Sequence, residues 1–185
     1  MSREAALKPL DRELFYTKLD TAQRYLEWGS GGSTVQAAKR GLHVVSIESD
    51  ARWHADLQQE LVDAANVELV LVNLNCKPND WGRPGSVEAV VKRAYSDAEK
   101  AAGCDLILID GRFRVACALK LYSVIDEHCT ICFDDFLFRP RYKEVLRFYD
   151  IIESTAEQSM VVLRKKLDCA APTSELIAHW ELDSF

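Results

Sequence analysis

The sequence of 185 residues lacks the long hydrophobic segments that membrane insertion and secretion require. No apolar run approaches the roughly 20 residues of a transmembrane helix. Residues 1–15 contain no apolar stretch of the length that a signal peptide needs. Repeats and low-complexity segments are absent too. We therefore expect no membrane association, a cytoplasmic location and a single domain over residues 1–185, since this length suffices for a full core.

Basic residues are also scarce, because 23 Lys and Arg face 29 Asp and Glu and the formal net charge is −6. This balance argues against a general nucleic-acid binder, which would usually be basic, although it leaves room for a local basic patch. The hydrophobic fraction of 48% and the charged fraction of 28% are ordinary for a globular protein.

Metal-ligand spacings are missing as well. The four histidines are scattered, so a zinc site is not expected. The six cysteines are most simply free thiols in a reducing compartment. Cys129 and Cys132 form a C-x-x-C pair, but their segment reads as a strand, on which residues three apart point to opposite faces. We therefore expect neither a shared metal nor a disulfide there.

What the chain does contain is an alternation of strand-like and helix-like segments. Predicted strands cover residues 24–28, 43–48, 67–72, 104–110 and 130–134, with closing strands at 151–154 and 159–164. Predicted helices cover 10–20, 33–40, 51–65, 87–102, 115–125 and 140–149, and part of the tail. This order predicts an α/β fold: a doubly wound, mainly parallel seven-stranded sheet with helices on both faces and a C-terminal antiparallel hairpin. Ligands of such sheets bind beyond the carboxyl ends of the strands, where the strand order reverses.

A cluster of three glycines follows the first predicted strand and opens the next helix. Gly29 and Gly31 can take up positive φ and let backbone approach a ligand without a Cβ in the way. The N–H groups that start the following helix could bind polar or anionic atoms. Glu48 ends the second predicted strand beside this turn, where a carboxylate can accept both hydroxyls of a ribose. The alternative is a tight turn that binds nothing.

The segment from Glu27 to Gly31 reads E-x-G-x-G and resembles motif one of the class I S-adenosylmethionine-dependent methyltransferases. Thr34 stands where the dinucleotide fingerprint G-x-G-x-x-G/A needs a small third residue, which counts against NAD. The resemblance extends over about residues 24–165. It implies S-adenosylmethionine as cofactor, with Glu48 on the ribose and Glu27 or its neighbours near the methionyl amino group.

The same resemblance implies an adenine-contacting polar residue after the third strand, where Asn73 and Asn75 lie. Either amide could pair with the base, and turn formation is the alternative role. The expected reaction is methyl transfer to oxygen or nitrogen of a small molecule. An NAD-dependent oxidoreductase and a non-catalytic nucleotide-binding relative are the competing hypotheses. The predicted cofactor-binding residues are Glu27, Gly29, Ser30, Gly31, Glu48, Ser49, Asn73 and Asn75.

Carboxylates follow the fourth and fifth predicted strands, Asp110 after one and Asp134 and Asp135 after the other. Ends of neighbouring strands lie about 5 Å apart, so these groups need a cation or a shared proton. The pattern looks like that of metal-dependent O-methyltransferases of sugars and catechols, which implies Mg²⁺ held by the three aspartates. The alternative is neutralisation by arginine. Asp110 or Asp134 is the predicted general base or metal ligand.

Basic residues gather near the same strand ends. Arg139, Arg141 and Lys143 surround the start of a predicted helix, where positive charge opposes the helix dipole. With Arg112 and Arg114 they form a basic rim that a bound anionic substrate would explain, and ion pairing or solvation is the alternative. Trp81, in the long loop after the third strand, could stack on the base or cover the substrate. The predicted substrate-binding residues are Trp81, Arg112, Arg114 and Arg139. An open active edge also permits a homodimer.

Overall fold

A computed structural model of the protein describes residues 3–78, 80–155 and 159–184. The strands are β1 (Arg24–Trp28), β2 (His43–Glu48), β3 (Val67–Leu71), β4 (Leu106–Ile109), β5 (Thr130–Phe133), β6 (Tyr149–Ser154) and β7 (Val161–Lys165). The α-helices are α1 (Pro9–Leu19), α2 (Gly32–Lys39), α3 (Ala51–Glu60), α4 (Ala89–Tyr95), α5 (Arg114–Leu121) and α6 (Ser174–Trp180). Two 3₁₀ segments cover Glu99–Ala101 and Pro140–Arg147.

The seven strands form one sheet in the order β3-β2-β1-β4-β5-β7-β6. Strands β1 to β5 pair in parallel, and β7 runs antiparallel to both β5 and β6. The predicted doubly wound sheet with its C-terminal hairpin is therefore confirmed. The strand order reverses between β1 and β4, so the crevice beyond their carboxyl ends is the expected ligand site.

Apolar side chains cover both faces of the sheet. On β4, Ile107 and Ile109 join the core on one face, while Leu106 and Leu108 join the core on the other. Such two-sided burial is what a central parallel strand requires. Cys129 and Cys132 likewise belong to opposite cores, as their spacing predicted, and all six cysteines are free thiols.

Several predicted helices end earlier than the periodicity indicated. The helix expected at 51–65 stops at Glu60. The one expected at 87–102 is α4 alone, and Asp97 then caps a separate 3₁₀ turn by accepting a hydrogen bond from the Glu99 N–H. Residues 140–147 form a 3₁₀ segment, and Tyr149 already starts β6 because its side chain is buried and donates to the Ala118 carbonyl.

Within the described ranges, no helix has the length and hydropathy needed to cross a bilayer.

Candidate cofactor and acceptor site

The carboxyl ends of β1 and β4 approach each other backbone to backbone. A Cβ on Gly111 would lie 2.1 Å from the Tyr95 hydroxyl oxygen and 2.9 Å from the Trp28 carbonyl carbon. Gly29, opposite it, has φ +96° and would bring a Cβ to 3.0 Å from the Gly111 nitrogen. Only glycine permits this approach. The glycine turn after β1 therefore lies directly beside the end of β4.

Glu27 is fully buried beneath the turn and accepts hydrogen bonds from four hydroxyls. The donors are Tyr25 at 2.7 Å, Ser33 at 2.5 Å, Ser46 at 2.8 Å and Thr34 at a shorter distance. Burial raises the pKa of Glu27, and the hydroxyl donors oppose that rise. The carboxyl group thus ties β1, β2 and the start of α2 together. Its predicted contact with a methionyl amino group stays a prediction.

Thr34 explains the departure from the dinucleotide fingerprint. Its hydroxyl donates to Glu27 and accepts the Gly31 N–H at 2.8 Å, so it links the buried carboxyl to the turn. Glycine or alanine, the residues of the fingerprint at this position, could make neither bond. Gly31 itself is open: a Cβ there would meet only the Trp53 ring, at 3.8 Å.

Glu48 lies at the end of β2 against the turn and is 5% exposed. Its Oε2 accepts the Ser30 N–H at 3.1 Å, and its Oε1 accepts the Ser49 and Asp50 N–H groups at 2.6 and 2.8 Å. Burial raises the pKa of Glu48, while the backbone donors lower it. Ser30 is fixed from the other side, because the Trp53 indole donates to its carbonyl at 2.7 Å.

These residues fit an adenosine-containing cofactor. Oε2 of Glu48 has one protein donor, and a carboxylate oxygen can accept two hydrogen bonds, so capacity for a ribose hydroxyl remains. The glycine turn supplies backbone at the topological switch point, where the fold places its ligands. The ribose contact of Glu48 and the cofactor contacts of Gly29, Ser30, Gly31 and Ser49 stay predictions.

The loop after β3 lies over this edge of the sheet. Asn73 Oδ1 accepts the Asn75 N–H at 2.9 Å, a turn-forming bond that leaves the Asn73 amide group free to act as a donor. Ser49 Oγ donates to the Gly82 carbonyl at 3.4 Å, which brings the loop next to Glu48. Trp81 is 89% exposed, so its ring does not pack against the domain. Base contact by the asparagines and stacking by Trp81 stay predictions.

Arg114 is the cation among the aspartates. Its Nη2 lies 3.0 Å from Asp110 Oδ1, and its Nη1 lies 3.5 Å from Asp135 Oδ2 and 3.9 Å from Asp134 Oδ2. The three guanidinium nitrogens also donate to the backbone carbonyls of Gly111, Asp134 and Asp110. The side chain is 7% exposed. Arg114 is thus fully engaged by protein, and its predicted role in substrate binding gains no support.

The expected Mg²⁺ site at Asp110, Asp134 and Asp135 is not supported. The Arg114 guanidinium lies where a metal shared by these carboxylates would have to bind. Among the described residues, no group of three or more His, Cys, Asp or Glu side chains is arranged to hold a metal ion. The alternative interpretation, neutralisation by arginine, describes the site.

Asp110 and Asp134 extend β4 and β5 and lie side by side, because the strands pair Ile109 with Phe133 immediately before them. Burial raises the pKa of Asp110 well above its ordinary value; Arg114 opposes the rise, and Asp134 adds to it. Burial raises the pKa of Asp134 too. The two carboxyl groups titrate as a pair, so a shared proton belongs to the pair and not to one residue. The ionised carboxylate of the pair can accept a proton from a ligand.

The other basic residues separate into paired and unpaired groups. Arg139 donates to Asp135 at 2.8 Å, and Arg141 pairs with Asp183 at 3.0 Å, which turns it away from the rim. Arg112 Nε is buried and has no hydrogen-bond partner within the part of the chain described. The buried Tyr142 hydroxyl, which sequence reasoning missed, is also unpartnered there. The feature of the sequence that could have identified Tyr142 is its position as an aromatic residue inside the basic segment 139–143.

Two surface cavities, of about 280 and 510 Å³, lie elsewhere. The first is near the amino ends of β1 and β2 and the second between residues 147–148 and α6, and neither includes a predicted site residue.

Neither family models nor curated proteins match the sequence. Solved structures do match this protein in fold. A methyltransferase-like protein from Silicibacter pomeroyi DSS-3 is 29% identical, with a TM-score of 0.82 over 98% of each chain. The Burkholderia thailandensis 1,6-didemethyltoxoflavin-N1-methyltransferase, solved with S-adenosylhomocysteine, is 16% identical, with a TM-score of 0.55 over 88% of this chain and 79% of the other. The mitomycin 7-O-methyltransferase MmcR is 12% identical, with a TM-score of 0.52 over 85% of this chain and 56% of the other.

These likenesses confirm the resemblance drawn from the sequence. The protein has the fold of the class I S-adenosylmethionine-dependent methyltransferases, which it shares with a methyltransferase-like protein and two methyltransferases. The two neighbours below 25% identity bear on the fold alone.

Proposed function

We propose that the protein is an S-adenosylmethionine-dependent methyltransferase that transfers a methyl group to oxygen or nitrogen of a small molecule. The observation that carries this proposal is the position of Glu48, which is held against the glycine turn at the switch point with acceptor capacity left on Oε2. The methyltransferase fold supports it independently. We add a cytoplasmic location to the proposal; a homodimer stays a prediction from the sequence.

The cofactor contacts divide between the turn and the loop after β3. Glu48 would bind the ribose diol, and the backbone of Gly29, Ser30 and Gly31 would line the methionyl part. Asn73 or Asn75 would contact the adenine. S-adenosylmethionine supplies, when bound, a methyl group on a sulfonium that a nucleophile can attack. The protein's share is alignment and exclusion of water.

The acidic pair beside the turn would handle the proton. In the Asp110 and Asp134 pair, the ionised carboxylate would accept the proton that an acceptor hydroxyl or amine loses on methylation. Arg114 keeps the two aspartates together and offsets their charge. No step in this proposal requires a metal ion.

Two alternatives use the same pocket. An NAD-dependent oxidoreductase is disfavoured by Thr34, whose hydroxyl bonds occupy the point of close helix–strand packing. A non-catalytic relative would bind S-adenosylhomocysteine and methylate no acceptor.

Calorimetric titration with S-adenosylhomocysteine and, separately, with NAD tests the proposal. We expect only the former to bind, and we expect Glu48→Ala to weaken it about tenfold or more, since a hydrogen bond to a charged group contributes about 1.5–3 kcal/mol. Glu68→Ala, which removes a surface carboxylate paired with Lys100, is the control and should bind normally. Unchanged affinity in a folded Glu48→Ala protein would refute the site.

A further inference from the structure

Two buried polar atoms near the carboxyl ends of β4 and β5 have no hydrogen-bond partners. They are the Nε atom of Arg112 and the hydroxyl oxygen of Tyr142, considering all residues the structure describes. Leaving one buried donor unpaired costs about 1–3 kcal/mol, so unpaired groups at a functional edge point to a missing partner. The Arg112 Nε–H is a donor and the Tyr142 hydroxyl can donate, so one acceptor could partner both groups.

Tyr142 is held rigidly by aromatic neighbours. Its ring centroid lies 5.0 Å from that of Phe133 and 6.5 Å from that of Phe136, and the residue is 0% exposed. The guanidinium carbons of Arg139 and Arg114 lie 5.7 and 6.0 Å from the ring centroid. The ring is therefore held between aromatic side chains and two guanidinium groups.

Arg112 is the uncompensated cation of this region. Arg114 and Arg139 have carboxylate partners within 4 Å, whereas the described part of the chain gives Arg112 no ion pair. Burial and the nearby charge of Arg114 lower the pKa of Arg112. The Tyr142 hydroxyl opposes this lowering, so the two unpaired groups lie within electrostatic reach of each other.

The local charge balance favours an anion. The three aspartates pair with Arg114 and Arg139, so Arg112 carries a positive charge that no carboxylate of the described residues pairs with. An anionic ligand would supply that partner. Burial raises the pKa of Tyr142, so its hydroxyl stays protonated at neutral pH and can donate to an oxyanion.

We propose that Arg112 and Tyr142 bind an anionic group, a carboxylate or a phosphate, carried by the methyl acceptor. This rests on the proposed methyltransferase function for the identity of the ligand as acceptor. Tyr142 lies against Phe133 of β5, on the far side of β4 from the cofactor residues of β1 and β2. The Arg112 side chain lies closer to them, because a Cβ on Gly82 would be 3.9 Å from Arg112 Cγ and 2.6 Å from Ser49 Oγ. The site thereby selects acidic acceptors, anchoring them beside Asp134.

The test titrates inorganic phosphate and benzoate into the complex with S-adenosylhomocysteine, in a buffer free of other oxyanions. The readout is the ¹H–¹⁵N signal of the arginine Nε groups, with the Arg112 signal assigned by its loss in Arg112→Lys. We expect that signal to shift with at least one anion. Tyr142→Phe should weaken this anion about tenfold, since it removes a hydrogen bond to a charged group, and leave S-adenosylhomocysteine affinity unchanged.

Tyr122→Phe is the matched control. The Tyr122 hydroxyl donates to the carbonyls of Lys166 and Cys169, so its loss should lower Tm and leave anion affinity intact. Tyr142→Phe removes an unpartnered hydroxyl, so Tm should hold or rise while anion affinity falls. A purely structural tyrosine would give the opposite result at position 142.

Several outcomes would overturn the inference. These are absence of binding by both anions, equal anion affinity in Tyr142→Phe and wild type, or a drop in Tm for Tyr142→Phe. Loss of S-adenosylhomocysteine binding in a folded Arg112→Lys protein would assign the arginine to the cofactor carboxylate instead. If wild type binds no S-adenosylhomocysteine, the proposed function fails, and the same titration on the protein alone still decides the anion site.

Discussion

Individual side chains at this site are defined by partners that come from distant parts of the chain. Glu27 was identified from its place before the glycines, but its hydroxyl donors depend on the pairing of β1 with β2, which sets Ser46 opposite Glu27. Arg114 could not be distinguished from Arg112 by type or spacing. The difference arises at Phe113, whose left-handed conformation (φ +52°) starts α5 so that Arg114 reaches back to the aspartates.

Gly111 and Gly31 are needed for different reasons, the first for the stability of the fold and the second for space at the cofactor site. Gly111→Ala should destabilise the protein by about 1–3 kcal/mol or more, because its Cβ would overlap the Tyr95 hydroxyl and the Trp28 backbone. Gly31→Ala has room at 3.8 Å from Trp53, so it should cost about 1 kcal/mol or less. The new methyl group would instead obstruct the cofactor. Urea unfolding and titration with S-adenosylhomocysteine check both effects; normal cofactor affinity in Gly31→Ala would contradict this assignment of the turn.

At the scale of elements, strands were predictable and helix ends were not. The predicted bounds of β1 and β2 coincide with the observed ones, since apolar runs between turn residues define buried parallel strands. Residues 87–102 and 140–149 carry helical periodicity but contain shorter elements, because side-chain contacts such as the Tyr149 hydrogen bond to Ala118 override local pattern. Tertiary contacts of this kind have no local signal.

Helix α3 links the stability of the fold to the position of the glycine turn after β1. Asp50 caps it by accepting the Arg52 N–H at 2.9 Å, and the helix carries Trp53, whose indole fixes the Ser30 carbonyl. Asp50→Ala should cost about 1 kcal/mol, as should Thr173→Ala, which removes the cap of α6. Of these two variants, only Asp50→Ala should also weaken S-adenosylhomocysteine binding, because α3 contacts the turn through Trp53 and α6 makes no such contact among the described residues. Equal cofactor affinity in the two variants would show that the cap does not act on the site.

For the whole molecule, the sheet divides the site into two halves at the switch point. The glycine turn and Glu48 lie beyond β1 and β2, while the aspartates and Arg114 lie beyond β4 and β5. The order of the predicted strands was enough to predict this division, because the glycines follow the first strand, Glu48 ends the second, and the aspartates follow the fourth and fifth. It could not predict which group would neutralise the acids, since that depends on how one arginine side chain is oriented within a 7% exposed site.

Buried carboxyl groups in both halves make stability depend on pH. Burial raises the pKa values of Glu27, Glu48, Asp110 and Asp134 in the folded protein. Between the ordinary and the raised pKa, the folded state binds more protons than the unfolded state, so the free energy of unfolding falls as pH rises. The contribution is complete below the ordinary pKa, near pH 4, and is lost as pH passes the raised value.

Asp110→Asn isolates one of these groups and separates its structural role from its chemical one. The asparagine amide can donate to Asp134 as a protonated Asp110 would, and it cannot ionise. We therefore expect wild type and variant to unfold at similar urea concentrations near pH 4, and the variant to become relatively more stable as pH rises. Water reaches the carboxyl of Asp110, which is 29% exposed, and will limit the size of this difference. Asp150→Asn, at a surface carboxylate, is the control, and its stability should follow that of wild type at each pH.

If methyl transfer uses the proton shared by Asp110 and Asp134, Asp110→Asn should lower kcat about 10²–10⁴-fold. Parallel stability curves would mean that Asp110 ionises normally, and full activity would place proton transfer elsewhere.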